Sequence, residues 1–525
     1  MSAEIELSKQ LVLGEILARW ARKSPDKEAL VFKDKRLTYR QFNERVNRLA
    51  HGLLKLGIGR GDKIAVIFMN CLEIVECYFA LAKIGVVAVP LNFRFTKNEH
   101  QYQIDNSDAR AVIYGSMFRD IIDSIRIRLP KVEHYICVSK GGIEGAIDYE
   151  ALIRESSPGE PLIMVEDDDP AFIMYTSGTT GSPKGAVLTH KNQISLAINF
   201  CLSVREFTAK QLIVFPLFHQ AATAWTIIGV FNGESSVILD DPTPEKIMAA
   251  IQSEKIECVG LVPALWNWIV NHPQFKEYDL SSLRAGGTGA APIPVEVKKR
   301  IFELLPNLKL VEAFGQTETS ATGTLAFHED FLRKSGTVGK PRINVEARIV
   351  DPDGNDVPIG QKGEIVYRGP SVMKEYYKNP SATAEAFRGG WFHSGDMVRQ
   401  DDEGYIYVVD RLKDMIISGG ENIYPAEIEN VLYNHPKILE AAVIGIPDPD
   451  WGESVKAYIV LKAGQAMTEA EVIDFCREQL ASYKKPRVVQ FIDALPRNAS
   501  GKVLKTTLRE MHRQKVSSAF LLCHQ

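Results

Sequence analysis

Tyr175-Thr176-Ser177-Gly178-Thr179-Thr180-Gly181-Ser182-Pro183-Lys184-Gly185 sets three glycines among hydroxyl side chains, next to a lysine. Glycine gives backbone N–H groups room to converge on an anion, and lysine adds positive charge, so the run reads as a phosphate loop. It is not a Walker A loop, because Pro183 stands where that motif requires glycine. A surface turn is the other reading that composition alone allows. The flanks supply context: strands are expected at 171–175 and 186–188, then a helix begun by Thr189. The loop therefore joins strand to strand, whereas in a dinucleotide fold the glycines open directly into a helix.

Further out, Thr38 and Gln41 have capping-box spacing, and Phe42, Val46, Leu49, Ala50 and Leu53 share one helical face until Gly57. A strand is expected at 64–68, and alternation of strand and helix continues through the first four hundred residues. This predicts an α/β body of mixed or parallel sheets covered by helices. Near residue 410 the character changes. A strand at 405–409 runs into the charged joint Asp410-Arg411-Leu412-Lys413-Asp414. A compact α+β segment follows, with helices at 425–433 and 469–480, strands at 441–446 and 456–460, and a loop at 496–502. The expected division is a body of residues 1–412 and a small C-terminal domain of residues 413–525.

With 525 residues the chain exceeds a single core, and 62 basic against 66 acidic residues leave a net charge of −4, which does not recommend nucleic acid as a partner. The cysteines (Cys71, Cys77, Cys137, Cys201, Cys258, Cys476 and Cys523) are scattered and never spaced as metal pairs, so reduced thiols are expected. The first ten residues lack a signal-peptide core, and the longest apolar run, 78–91, is interrupted by Lys83 and too short to span a bilayer. A cytoplasmic protein is expected. Membrane contact is at most peripheral, through a basic tail with Lys505, Arg509, Arg513 and Lys515 that reads more simply as a solvated helix face. The sequence leaves a homodimer open.

Further segments join the loop in a fixed order: Phe215-Pro216-Leu217-Phe218-His219, Gly289-Ala290-Ala291-Pro292, Glu312-Ala313-Phe314-Gly315-Gln316-Thr317-Glu318, Trp391-Phe392-His393-Ser394-Gly395-Asp396, Ser418-Gly419-Gly420-Glu421-Asn422 and Pro496-Arg497-Asn498-Ala499-Ser500-Gly501-Lys502. Singly, each has an ordinary reading as a core histidine, a tight turn or a solvated lysine. Jointly they resemble the adenylate-forming enzymes, most closely compact bacterial fatty-acyl-CoA synthetases and aryl-CoA ligases. The resemblance implies a large body carrying a small mobile C-terminal domain. It also implies ATP-dependent activation of a carboxylic acid as acyl-AMP, followed by transfer to coenzyme A, with Mg²⁺.

By that resemblance Thr176, Ser177, Gly178, Thr179, Thr180, Gly181 and Lys184 hold the ATP phosphates, with Thr179 in a catalytic role. Gly289, Ala290, Ala291, Phe314, Gly315 and Thr317 hold adenine, and Phe314 stands where a tyrosine is more usual. Asp396 and Arg411 take the ribose, Glu318 the metal, and Lys502 the α-phosphate. The acyl pocket is assigned to His219, Thr223, Trp225, Val262, Trp266 and Thr288, with no fixed cation for a second carboxylate, so a fatty, alicyclic or aromatic monocarboxylic acid is expected. CoA falls to Ser418, Gly419, Gly420, Trp451, Tyr483 and Lys485, and the hinge to Lys413. Rival readings are an adenylation enzyme that loads a carrier protein and a non-catalytic AMP- or acyl-binding protein.

Overall fold

The computed structural model describes residues 3–176, 183–204, 210–291, 293–411, 414–418, 421–498 and 501–522. Its helix Tyr39–Lys55 forms for the expected reason. Thr38 Oγ1 accepts from the Gln41 amide at 3.3 Å and Gln41 Oε1 accepts from the Thr38 amide at 2.9 Å. Phe42, Val46, Leu49, Ala50 and Leu53 then fall on one face and are fully buried, the larger ones contributing about 1.5–3 kcal/mol each. Gly57, at φ +77°, turns the chain away. Lys83, in the apolar run, is itself buried, and its Nζ donates to Asn43 Oδ1 at 2.8 Å and Asn47 Oδ1 at 2.7 Å and pairs with Glu160.

Among the described residues the strands gather into four sheets. An eight-stranded sheet has parallel neighbours Val87–Pro90, Lys63–Ile67 and Ala109–Gly115 at its middle. Beside them lies the antiparallel pair Pro170–Thr176 and Lys184–Thr189, so the quoted loop does join strand to strand. Thr189 caps the next helix, His190–Ser203, in a box with Asn192. A nine-stranded sheet carries the parallel run Gln211–Ile213, Cys258–Gly260, Ala285–Gly289 and Lys309–Phe314.

The strand–helix alternation stops earlier than expected. Glu346–Val350, Lys362–Arg368, Phe392–Gln400 and Ile406–Arg411 form a purely antiparallel sheet. Antiparallel neighbours need no crossover helix, and two of the connections turn at Gly354 and Gly404, each at φ +84°. A backbone seam welds this sheet to the larger body: the Val338 amide donates to Ile406 O and the Ile406 amide to Gly339 O, both at 2.9 Å.

Beyond residue 414 a five-stranded sheet is built on the hairpin Ile438–Asp448 and Gly452–Leu461. Those strands outrun the expected ones because they pair with each other along their whole length. Helices Pro425–Tyr433 and Glu469–Gln479 cover one face around Ile428, Leu432 and Val472, while Lys505–Leu522 covers the other through Leu508 against Tyr458. This cap meets the body where Asp410 Oδ2 accepts from the Ala426 amide at 3.1 Å and where Lys362 Nζ lies 4.1 Å over the Tyr424 ring. The six cysteines among the described residues are unpaired thiols. Among those residues no helix is long and apolar enough to cross a membrane.

Candidate active site

A cavity of about 390 Å³ opens at the carboxyl ends of Cys258–Gly260, Ala285–Gly289 and Lys309–Phe314, where open α/β sheets bind ligands. The hairpin strands, the helix Gln220–Asn232 and Lys502 of the cap complete its wall. Residues more than three hundred positions apart therefore share one space.

One end is polar. Thr176 and Lys184 pair in register across the hairpin and both line the cavity. Glu318, 6% exposed, accepts from the Tyr376 hydroxyl at 2.8 Å and sits 3.4 Å from Thr176 Oγ1. Burial and the Glu318 carboxylate together raise the Tyr376 phenol far above its ordinary value, so it remains a donor. Lys184 Nζ stands 5.2 Å over the Tyr376 ring. Lys502 arrives on a shaped turn: its amide donates to Asn498 Oδ1 at 2.8 Å, and the Gly501 amide to Asn498 O at 2.9 Å. Gly501 has φ +81°, which favours glycine, and a Cβ there would come 3.1 Å from Val262 Cγ2, a tight approach of the turn to the body. Ser177, Gly178, Thr179, Thr180 and Gly181 lie outside the described residues.

Gly289, Ala290, Gly315 and Thr317 line the adjoining wall. A Cβ on Gly289 would sit 2.6 Å from Ala313 O, and one on Gly315 2.7 Å from the Gly323 amide, so both positions need a bare backbone. Phe314 does not line the cavity; alternation along its strand turns it into the neighbouring core, between the lining residues Ala313 and Gly315. Ala291 stands just past the lining, and Asp396, 2% exposed, lies behind His393 and Ser394, which do line it. Glu364 fixes that loop by pairing with His393 Nδ1 at 2.7 Å and accepting from the Gly395 amide at 2.8 Å. Arg411 pairs with Asp396 across the strands, and its side chain is outside the described set.

The other end is apolar except for His219, Gln220 and Thr288. Burial, aided by Arg94, lowers the His219 imidazole to about 4, so it is neutral. His219 Nε2 and Thr288 Oγ1 are buried without hydrogen-bond partners among the described residues. An unmade bond costs each such group about 1–3 kcal/mol, which a polar ligand atom at this spot would restore. Val262 and Trp225 line the same end.

Two expected pocket residues do not. Thr223 Oγ1 donates to Leu217 O at 3.1 Å and to His219 O at 3.2 Å, bonds that hold it inside its own helix. Trp266 packs against Gly286 and donates to Gly287 O at 3.0 Å. Gly286 and Gly287 face opposite sides of the sheet, so Trp266 lies on the far face from the cavity. Sequence reasoning missed Tyr376, Phe200 and Phe215 as lining residues. Leu196 and Phe200, four apart on one helix and both in the wall, were within reach of helical spacing. Tyr376 was not, because it arrives through the long-range pairing of Glu375–Tyr376 with Lys184–Thr189.

The remaining positions lie on the cap, away from this cavity. Ser418 is buried in a strand; Trp451 and Tyr483 are exposed, with Arg487 4.8 Å over Trp451; and Lys485 Nζ donates to Ser482 O at 3.0 Å. Lys413, Gly419 and Gly420 lie outside the described residues.

The AMP-binding enzyme family matches residues 17–377, and the AMP-binding enzyme C-terminal domain matches residues 427–502. The chain is an AMP-binding enzyme. Among AMP-binding enzymes it is 38% identical over 510 residues to long-chain-fatty-acid–CoA ligase FadD13 of Mycobacterium tuberculosis, covering 96% of this chain and 99% of that one. It is 39% identical over 500 residues to feruloyl-CoA synthase of Amycolatopsis sp, with 95% and 98% covered. The crystal structure of the anthranilate CoA ligase AuaEII in complex with anthranoyl-AMP superposes with a TM-score of 0.89 at 28% identity, covering 97% of this chain and 99% of that one.

Proposed function

We infer that the protein is an ATP-dependent acid–CoA ligase that converts a monocarboxylic acid to acyl-AMP and then to acyl-CoA. The observation that carries this reading is the single cavity in which cap Lys502 meets Thr176, Lys184 and Glu318, facing the unsatisfied His219 and Thr288. A carboxylate is a poor electrophile, because oxide is a poor leaving group. In the first step a carboxylate oxygen attacks the α-phosphorus, its bond to the β-phosphate oxygen breaks, and pyrophosphate leaves. Negative charge grows on the phosphoryl oxygens, where Lys184 and Lys502 oppose it. Neutral His219 donates to the acid without adding a charge that would hold it back.

Among the described residues no group of three or more His, Cys, Asp or Glu could hold a metal by itself. Glu318 and Thr176 offer hard oxygens, which suits Mg²⁺ held by one carboxylate together with substrate phosphates. Bound there, Mg²⁺ would neutralise charge on the pyrophosphate. In the second step the CoA sulfur attacks the acyl carbon, the thiol proton passes to solvent, and AMP leaves. Lys502 lines the cavity from the cap, and in this reading the cap turns aside to admit CoA, with residues 1–412 as the fixed body, 413–525 as the moving part and Lys413 as the turning point. Asp396 and Arg411 on the ribose, and Trp451, Tyr483 and Lys485 along the CoA path, complete the assignment.

Lys502→Ala tests it. Loss of one positioned donor costs roughly 2.7–4 kcal/mol, so acyl-AMP formation should fall about a hundredfold or more, while supplied acyl-AMP is still converted to thioester. Equal loss of both steps would contradict a role for Lys502 specific to the first. Carrier loading without CoA consumption would replace the ligase reading with a carrier-loading one.

A further inference from the structure

We propose that the Trp225 indole closes the acyl end of the cavity and restricts this enzyme to compact acids, a ring or a short chain, excluding long alkyl chains. The inference rests on the ligase reading above and deepens it. Gly260 and Gly287 are register partners on adjacent parallel strands. A Cβ on Gly260 would fall 2.6 Å from Trp225 Nε1, and one on Gly287 2.6 Å from Trp225 Cζ2. The indole therefore lies across both strands at one level, in space that exists only because neither residue has a side chain.

The rings around it hold it there. Phe200 meets Trp225 edge-on at 5.6 Å and 67°, and Phe215 Cε2 stands 2.9 Å from the same Gly260 Cβ position. The supporting helix is graded along its cavity face. Ala221 and Ala224 present small side chains beside His219, whereas Trp225 and Ile228, farther along the same lining face, present large ones. Behind the strands the opposite face is occupied by Trp266 against Gly286, so no path leads through the sheet. A carboxylate seated at His219 and Thr288 thus has room for a small acyl group before the indole stops it.

The test is CoA-dependent pyrophosphate release with cyclohexanecarboxylate, benzoate, butanoate, octanoate and palmitate, on wild type, Trp225→Ala and Trp225→Phe. One misfitting methylene changes kcat/KM by roughly 10–200-fold, so wild type should favour its best compact acid over palmitate by about a hundredfold or more. Trp225→Ala should raise the palmitate-to-compact ratio at least about tenfold, and Trp225→Phe should raise octanoate. Thermal melts identify a variant that fails to fold, and the wild-type profile with the milder Phe variant then decides. Palmitate as the best wild-type acid, or an unchanged profile in folded variants, overturns the proposal while leaving the ligase intact. No thioester from any acid overturns the ligase reading, and this proposal with it.

Discussion

Tyr376 gives its hydroxyl to Glu318 at 2.8 Å beneath Lys184, and it is the lining residue that composition and spacing gave no reason to select. A hydrogen bond to a charged group contributes about 1.5–3 kcal/mol, so Tyr376→Phe should slow acyl-AMP formation about ten- to a hundredfold. Pyrophosphate release measures it, and wild-type rates would show that the hydroxyl does not orient the carboxylate. His219 was legible as a motif member, but its neutrality was not. Only the packing that buries it lowers its titration to about 4, and a ring titrating near its ordinary value by NMR would contradict that environment.

At the scale of elements, local signals held where local chemistry decides. The capping box at Thr38, the helix begun by Thr189 and the helix opening at Pro425 lie where the sequence placed them. Pairing between distant strands was hidden, and the four-stranded antiparallel sheet was read as more alternation although Gly354 and Gly404 carried turn signals. Gly339 is the strictest point of the seam between sheets. Its φ is +82°, and a Cβ would collide with the Leu325 carbonyl. Gly339→Ala should therefore destabilise the body by on the order of 3 kcal/mol or more, read as a lowered denaturation midpoint. An unchanged midpoint would mean the seam yields at little cost.

For the whole molecule, the packed body holds His100, His190 and His219 uncharged, each lowered by burial to about 4. The unfolded chain takes up protons on these rings as pH falls through about 6.5, while the native state does so only near 4, so their contribution lowers stability across that window and adds no further loss below it. His100, fully buried in the body, allows a direct check. His100→Phe should flatten the fall of the denaturation midpoint between about pH 6.5 and pH 4 relative to wild type. Parallel curves would show that the ring is charged or solvated in the native state.

Sequence alone determined the family, the α/β body with its smaller C-terminal unit, and a candidate list running from the phosphate loop to Lys502, because ordered motifs and capping chemistry are written in neighbouring residues. Tertiary structure decided which candidates share a cavity. Trp225 and Trp266, both offered by the sequence as pocket residues, are separated by a sheet two glycines thin. Strand alternation and long-range pairing, which assign side chains to opposite faces, are properties of partners far apart along the chain.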